Sequence, residues 1–439
     1  MNIPYNVSTQ GPRLQNREKT DLFDIVIAYC IVLTPIFGFI LRKGAGMNVQ
    51  FFFNFVFFVG SVFILIRGYQ KQRVYFPVYL LFYLFFTLYT ILVNLLYTDL
   101  VVEQGLLKYL YSNQFITSFL GLFVAENIRL SIPWLKRMIK IMIGVVLIAG
   151  LTSVIQFFEP TFLVNMTNME AVEASIAQYG DRKWSIYTWT KYVDIGFSFL
   201  SYVSIIFSVG MLFGKRQYWL VFLGFLVSLL NGSRWVMVNA IIISLQDFLA
   251  TKNRFSQFLK YSAYLVVALV LVYFSLMGIG VNLNQLIFDR IFEESAGTRL
   301  VALEVFQDQF PKNPILGTGG VYTQETINLI AGRSSQIHVG YLALFYLYGI
   351  VGGIFYLAFI FSILRKTFSV GKATGYWGTY YSFLGLALAN VTLVTFAAFY
   401  HGLLMAIIFH KFFEKNYRTF QQAPAPKARK VPEKIKNFG

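Results

Sequence analysis

Gln336-Ile337-His338-Val339-Gly340 runs directly into Tyr341-Leu342-Ala343-Leu344-Phe345-Tyr346-Leu347-Tyr348-Gly349-Ile350-Val351-Gly352-Gly353. The first five residues close a long polar segment. The rest opens an apolar run that continues to about residue 364. A transmembrane helix needs roughly 20 mostly apolar residues to cross about 30 Å of hydrocarbon. The run therefore reads as a span, with His338 at its mouth. The chain carries three histidines, and an imidazole at a membrane interface suits proton transfer there.

Working outward, the whole chain repeats this pattern. Apolar residues make up 57% of it and charged residues 13%, with a mean hydropathy of +0.60. A soluble domain carries about 25% charged residues. The fold class expected is all-α and polytopic, with about 12 transmembrane helices. They fall near residues 22–41, 49–66, 74–97, 106–125, 138–158, 193–213, 217–231, 235–250, 261–280, 338–364, 377–392 and 396–413. No window shows the period-two alternation of a membrane barrel. The first run lacks a small-residue cleavage site and reads as a retained span. The single Cys30 lies inside it, so no disulfide framework is expected.

Alternate connections divide the charge. One side collects 26 Lys+Arg against 7 Asp+Glu and the other 11 against 13. By the positive-inside rule the basic side is cytoplasmic. That side includes the N-terminal residues 1–21 and the basic end, 414–439, which is rich in Pro, Ala and Lys from Gln421 and reads as disordered. The net charge of +17 thus reports topology, and nucleic-acid binding is not expected. Spans seven and eight form a hairpin. One unbroken helix over 217–250 would be about 50 Å long, too long for one crossing. The hairpin tip, Asn231-Gly232-Ser233-Arg234, then lies below the outer surface, where irregular backbone must be buried in protein or line a wet cavity.

Two outer segments are long, 159–192 and 281–337, and loops of that length are usually functional or disordered. In the second, Leu300, Leu303, Phe306 and Phe310 recur at helical spacing, with Thr298 as a possible N-cap and Pro311 and Pro314 ending the run. This predicts an amphipathic helix on the outer membrane surface. The turn Ile315-Leu316-Gly317-Thr318-Gly319-Gly320 follows. It lacks the Lys-Ser/Thr ending of a nucleotide loop.

Arg234 is the hardest of the polar groups to treat as ordinary, because an arginine at membrane depth usually faces a cavity or a partner. A guanidinium matches phosphate oxygens in a bidentate fork. Arg299 and Arg333 are further outer-face arginines and could equally be surface charges. Arg182, near Trp184 and Trp189, suits either a sugar-contacting strip or an interfacial aromatic belt. His401 reads as an interfacial or packing residue and His410 as ordinary. The outer carboxylates are too loosely spaced for a metal site, and no cofactor is implied.

Three segments carry a resemblance: Asn231-Gly232-Ser233-Arg234-Trp235; Gly297-Thr298-Arg299 leading to Asn313-Pro314-Ile315-Leu316-Gly317-Thr318-Gly319; and Ile337-His338 through Gly353. In this order, over roughly residues 220–365, the chain resembles the O-antigen polymerase and O-antigen ligase superfamily of bacterial inner membranes. The resemblance implies a GT-C type, metal-independent glycosyltransferase that uses an undecaprenyl-pyrophosphate-linked glycan donor. Both termini would be cytoplasmic and the active site periplasmic. It implies His338 as catalytic residue and Arg234 and Arg299 around the pyrophosphate; Arg333, five residues before His338, is read beside them from its place on the outer face. Gln336, Gly317, Gly319, Tyr341 and Arg182 would be weaker glycan or loop contacts. Expected partners are the lipid-linked donor and acceptor, membrane lipids and a chain-length regulator protein. Two positions depart from the ligase pattern: Val339 stands where many relatives have Asn after the histidine, and Gln336 where ligases have a second histidine. The expected activity is repeat-unit polymerisation into O-antigen or capsule-type polysaccharide. The alternatives are a ligase acting on lipid A–core, or a lipid-linked oligosaccharide flippase.

Overall fold

The computed structural model of the 439-residue chain describes residues 20–44, 49–70, 74–97, 113–158, 199–212, 217–230, 295–331, 339–391 and 401–421. It also describes single positions and short stretches at 105, 109–110, 241–243, 246, 263, 267, 270, 274, 277–278, 337, 394 and 396. Among these residues the regular structure is helical throughout. The helices are α1 (Leu22–Gly44), α2 (Val49–Tyr69), α3 (Val78–Tyr97), α4 (Gln114–Asn127), α5 (Ile132–Phe158), α6 (Leu200–Leu212) and α7 (Tyr218–Leu230). After them come α8 (Ser295–Gln309), α9 (Gln324–Ile330), α10 (Gly340–Thr374), α11 (Gly378–Ala389) and α12 (His401–Gln421). Among the described residues three stretches are long and apolar enough to cross a membrane: Phe52–Tyr69, Val78–Tyr97 and Gly340–Thr374.

The first half of α12 is the axle of the bundle. His401 through His410 are all buried, and the helix packs against α1, α4, α6, α10 and α11. A helix apolar on every face is stable only when surrounded. Helix α3 shows the complementary pattern. Tyr79, Tyr83, Phe86 and Val93 turn inward against α10 and α4, while Leu81, Phe85, Leu88 and Leu92 stay exposed. The outer face is as apolar as the inner one, which is what a hydrocarbon solvent requires.

Several boundaries differ from the sequence reading. Helix α10 was expected to end at 364 and runs to Thr374. There Gly375, at φ +80°, returns its N–H to the Gly371 carbonyl (2.8 Å) as a left-handed cap. Helix α5 begins at Ile132 rather than 138. Pro133 fits its first turn, and the Arg137 guanidinium lies over the Trp134 ring at 4.3 Å. Helix α12 continues to Gln421, through the start of the segment expected to be disordered. The expected eighth and ninth spans lie largely outside the described residues.

Charged groups gather at one end of the bundle. Arg67, at the end of α2, bonds Asp24 (2.9 Å) and Asp21 (2.5 Å) at the start of α1. The Asp24 carboxylate also accepts the Arg129 N–H. At the same end Lys366 donates to the Tyr75 hydroxyl (2.7 Å), and Lys366 and Lys411 pair with Glu414 at 3.4 and 3.5 Å. Removing one member of a buried ion pair costs about 3–5 kcal/mol, because the other charge is stranded. Arg67→Met is therefore expected to lower the unfolding temperature in detergent by that equivalent. Asp24→Leu/Arg67→Met should recover at least half of the loss, as read by thermal denaturation.

Candidate functional site

The opposite end is organised around a broken helix. Gly349 sits nine residues into α10, about 13 Å along its axis. It adopts φ +62°, ψ −170°, which is not helical. A continuous helix would pair the Ile350 N–H with the Tyr346 carbonyl and the Val351 N–H with the Leu347 carbonyl. The loop after α8 takes all four groups instead. Ile350 N donates to Pro314 O (2.9 Å) and Val351 N to Ile315 O (3.3 Å). In return Thr318 N donates to Tyr346 O and Leu347 O (3.2 and 3.1 Å), and Gly320 N donates to Leu347 O (3.1 Å). The Tyr89 hydroxyl, from α3, adds a bond to Leu316 O at 3.1 Å. Each group would cost about 1–3 kcal/mol if left unpaired and buried.

Glycines permit this approach. A Cβ on Gly317 would lie 2.5 Å from Gly349 N and 2.6 Å from Leu347 O, and one on Gly349 would collide with the Ile315 carbonyl. Both have positive φ, as do Gly319 and Gly320. The structure thus gives Gly317 and Gly319 a definite place, in the turn that clasps α10. Gly349 was not singled out from the sequence. In the sequence it is one glycine inside an apolar run, which carries no signal of a distant partner.

The clasp brings α8 to the same end. Helix α8 packs on α9, α10 and the 3-10 turn Phe310–Lys312. It starts at Ser295, so Thr298 lies inside it and is not its cap. Val301, Ala302 and Val305 form its buried face, whereas Leu300 and Leu303 are exposed at 58% and 42%. Packing against α10 takes the smaller residues, and Leu300 and Leu303 face away from the bundle. Arg299 is half-buried in the first turns and bonds no described residue. Lys312 pairs with Glu325 across the loop at 2.5 Å. The bond holds the Glu325 carboxyl below its usual range and Lys312 above its own.

Around the start of α10, Ile337 is fully buried and its N–H donates to the Tyr322 hydroxyl at 3.3 Å. Tyr341 N donates to Asn390 O (3.0 Å) and the Tyr341 hydroxyl to Ala387 O (2.8 Å), both at the end of α11. Tyr322 stacks on Tyr346 with ring centroids 5.8 Å apart. The Tyr346 hydroxyl shares hydrogen bonds with Thr326 (2.7 Å) and Thr323 (3.3 Å), the latter the N-cap of α9. Tyr322, Tyr346 and Asn390 were not identified from the sequence; a tyrosine in a polar loop carries no signal of its tertiary partner. His338, Arg234, Arg333, Gln336 and Arg182 lie outside the described residues. His401 is buried edge-on against Phe53 at 4.5 Å, a packing environment. His410 is buried near the charged cluster at the other end.

Compared with models of known protein families and with curated proteins, the chain finds no match in either.

Gly349→Ala combines left-handed strain with a backbone collision, and is expected to cost about 2–6 kcal/mol. Gly144→Ala, where an added Cβ meets nothing within 4 Å, should be neutral or stabilising by up to about 1 kcal/mol. Thermal unfolding of both variants in one detergent measures the contrast.

Proposed function

We propose that the chain is a multi-pass glycosyltransferase that polymerises undecaprenyl-pyrophosphate-linked repeat units at the non-cytoplasmic face of a bacterial inner membrane. The observation that supports this best is the clasp. It seats the loop 313–320 on α10, and with it α8 and Arg299 come to the end of the bundle from which the His338 segment enters α10. The ion pairs of Arg67, Lys366 and Lys411 sit at the other end, where the charge asymmetry of the sequence puts the cytosol. On this reading α8 and the clasped loop are the ordered core of a periplasmic segment, and the full complement is about twelve spans.

The chemistry follows from the residue types. His338 takes the proton of an acceptor sugar hydroxyl as general base. The hydroxyl oxygen bonds the donor's anomeric carbon as the bond from that carbon to the pyrophosphate oxygen breaks. The electron pair leaves with undecaprenyl pyrophosphate, and Arg234, Arg299 and Arg333 stabilise the developing charge. The leaving group itself carries the driving force.

Purified protein given lipid-linked repeat units should build a ladder of chain lengths, and His338→Ala or Arg234→Ala should abolish it. Wild-type ladders in both variants would eliminate the mechanism. Long polymer that accumulates on the lipid carrier when the gene is deleted would identify a ligase instead.

A further inference from the structure

The start of α10 is held at two points on either side of His338. After it, the Tyr341 N–H, an amide the first helical turn cannot satisfy internally, is taken by the Asn390 carbonyl at 3.0 Å. Before it, the Ile337 side chain is sunk in the core and its N–H is taken by the Tyr322 phenol oxygen. The first contact is backbone to backbone, and α11 supplies it whatever its side chains. The second depends on one hydroxyl group.

We propose that Tyr322 is a positioning residue for His338: its phenol oxygen accepts the Ile337 N–H and so fixes the main chain one peptide before the imidazole. The inference rests on the catalytic reading of His338 given above. Tyr322 is itself well supported. Its ring lies parallel to that of Tyr346 within 17°, and Tyr346 is tied through its hydroxyl to Thr323 and Thr326 on α9. The Thr323 N–H also donates to Tyr346 (3.2 Å). A relay thus runs from the cap of α9 through two stacked rings to the Ile337 amide, one peptide before the base. Burial pushes the Tyr322 phenol above its ordinary value, so it stays protonated at neutral pH. An uncharged hydroxyl accepts through oxygen while keeping one proton to give.

Tyr322→Phe keeps the ring and its stack and removes only the acceptor. Three outcomes are expected together. The Ile337 amide should exchange faster with solvent. The His338 signal in a histidine-labelled NMR spectrum, assigned among three histidines by its loss in His338→Ala, should shift. The kcat for chain growth should fall on the order of tenfold to a hundredfold, with KM little changed, because misplacement of a catalytic group by about 1 Å is felt on that scale. Tyr346→Phe loosens the support but leaves the Ile337 bond, and should leave the His338 signal in place. Unchanged Ile337 exchange, an unmoved His338 signal, or a change in KM alone would overturn the positioning role. If His338→Ala itself polymerises normally, the catalytic reading fails instead, and the exchange and NMR shifts still report whether Tyr322 fixes this peptide.

Discussion

The structure depends on an exchange of backbone hydrogen bonds. Helix α10 gives up two of its internal pairs at Gly349, and the loop from Pro314 to Gly320 replaces both. A buried amide or carbonyl left unpaired costs about 1–3 kcal/mol, so neither partner is stable in this form alone. The broken helix needs the loop, and the loop, short of regular structure, needs the helix. The glycines are the condition for this rather than ornaments of it. Gly317 and Gly349 approach so closely that even a methyl group on either meets backbone atoms.

From this one exchange the rest of that end follows. The loop is fixed, so α8 and α9 on its flanks are fixed. Through Thr323 and Thr326 the α9 cap holds Tyr346, and the Tyr346 stack holds Tyr322 against the Ile337 peptide. The polar segment that leads into α10 is thereby joined to the membrane bundle by specific bonds. The other end is built differently, from ion pairs of Arg67, Lys366 and Lys411 with carboxylates on α1 and α12. One end is rigid through main-chain geometry, the other through charge.

Much of this was legible in the sequence. Apolar runs located α1, α2, α3, α7 and α11 and the start of α10 to within a few residues, because helices in a membrane must be long, apolar and internally hydrogen-bonded. Boundaries failed where helices continue past the apolar region, as at Thr374 and Gln421, since hydropathy senses lipid and not the helix itself. The spacing of Leu300 and Leu303 located α8, but the face it turns to the bundle was not legible, because only the α10 surface selects Val301, Ala302 and Val305. The break at Gly349 was invisible for a similar reason: a glycine in an apolar run looks the same whether or not a distant loop replaces its hydrogen bonds.

The proposed mechanism requires Arg234 and His338 to share one pocket open to the non-cytoplasmic side. The most direct measurement is cross-linking of Arg234→Cys with His338→Cys in a Cys30→Ser background, using a short bis-maleimide that does not cross the membrane, applied to intact spheroplasts. The account predicts an intramolecular cross-link that lipid-linked glycan protects against. Labelling of the two positions from opposite sides of the membrane would contradict it.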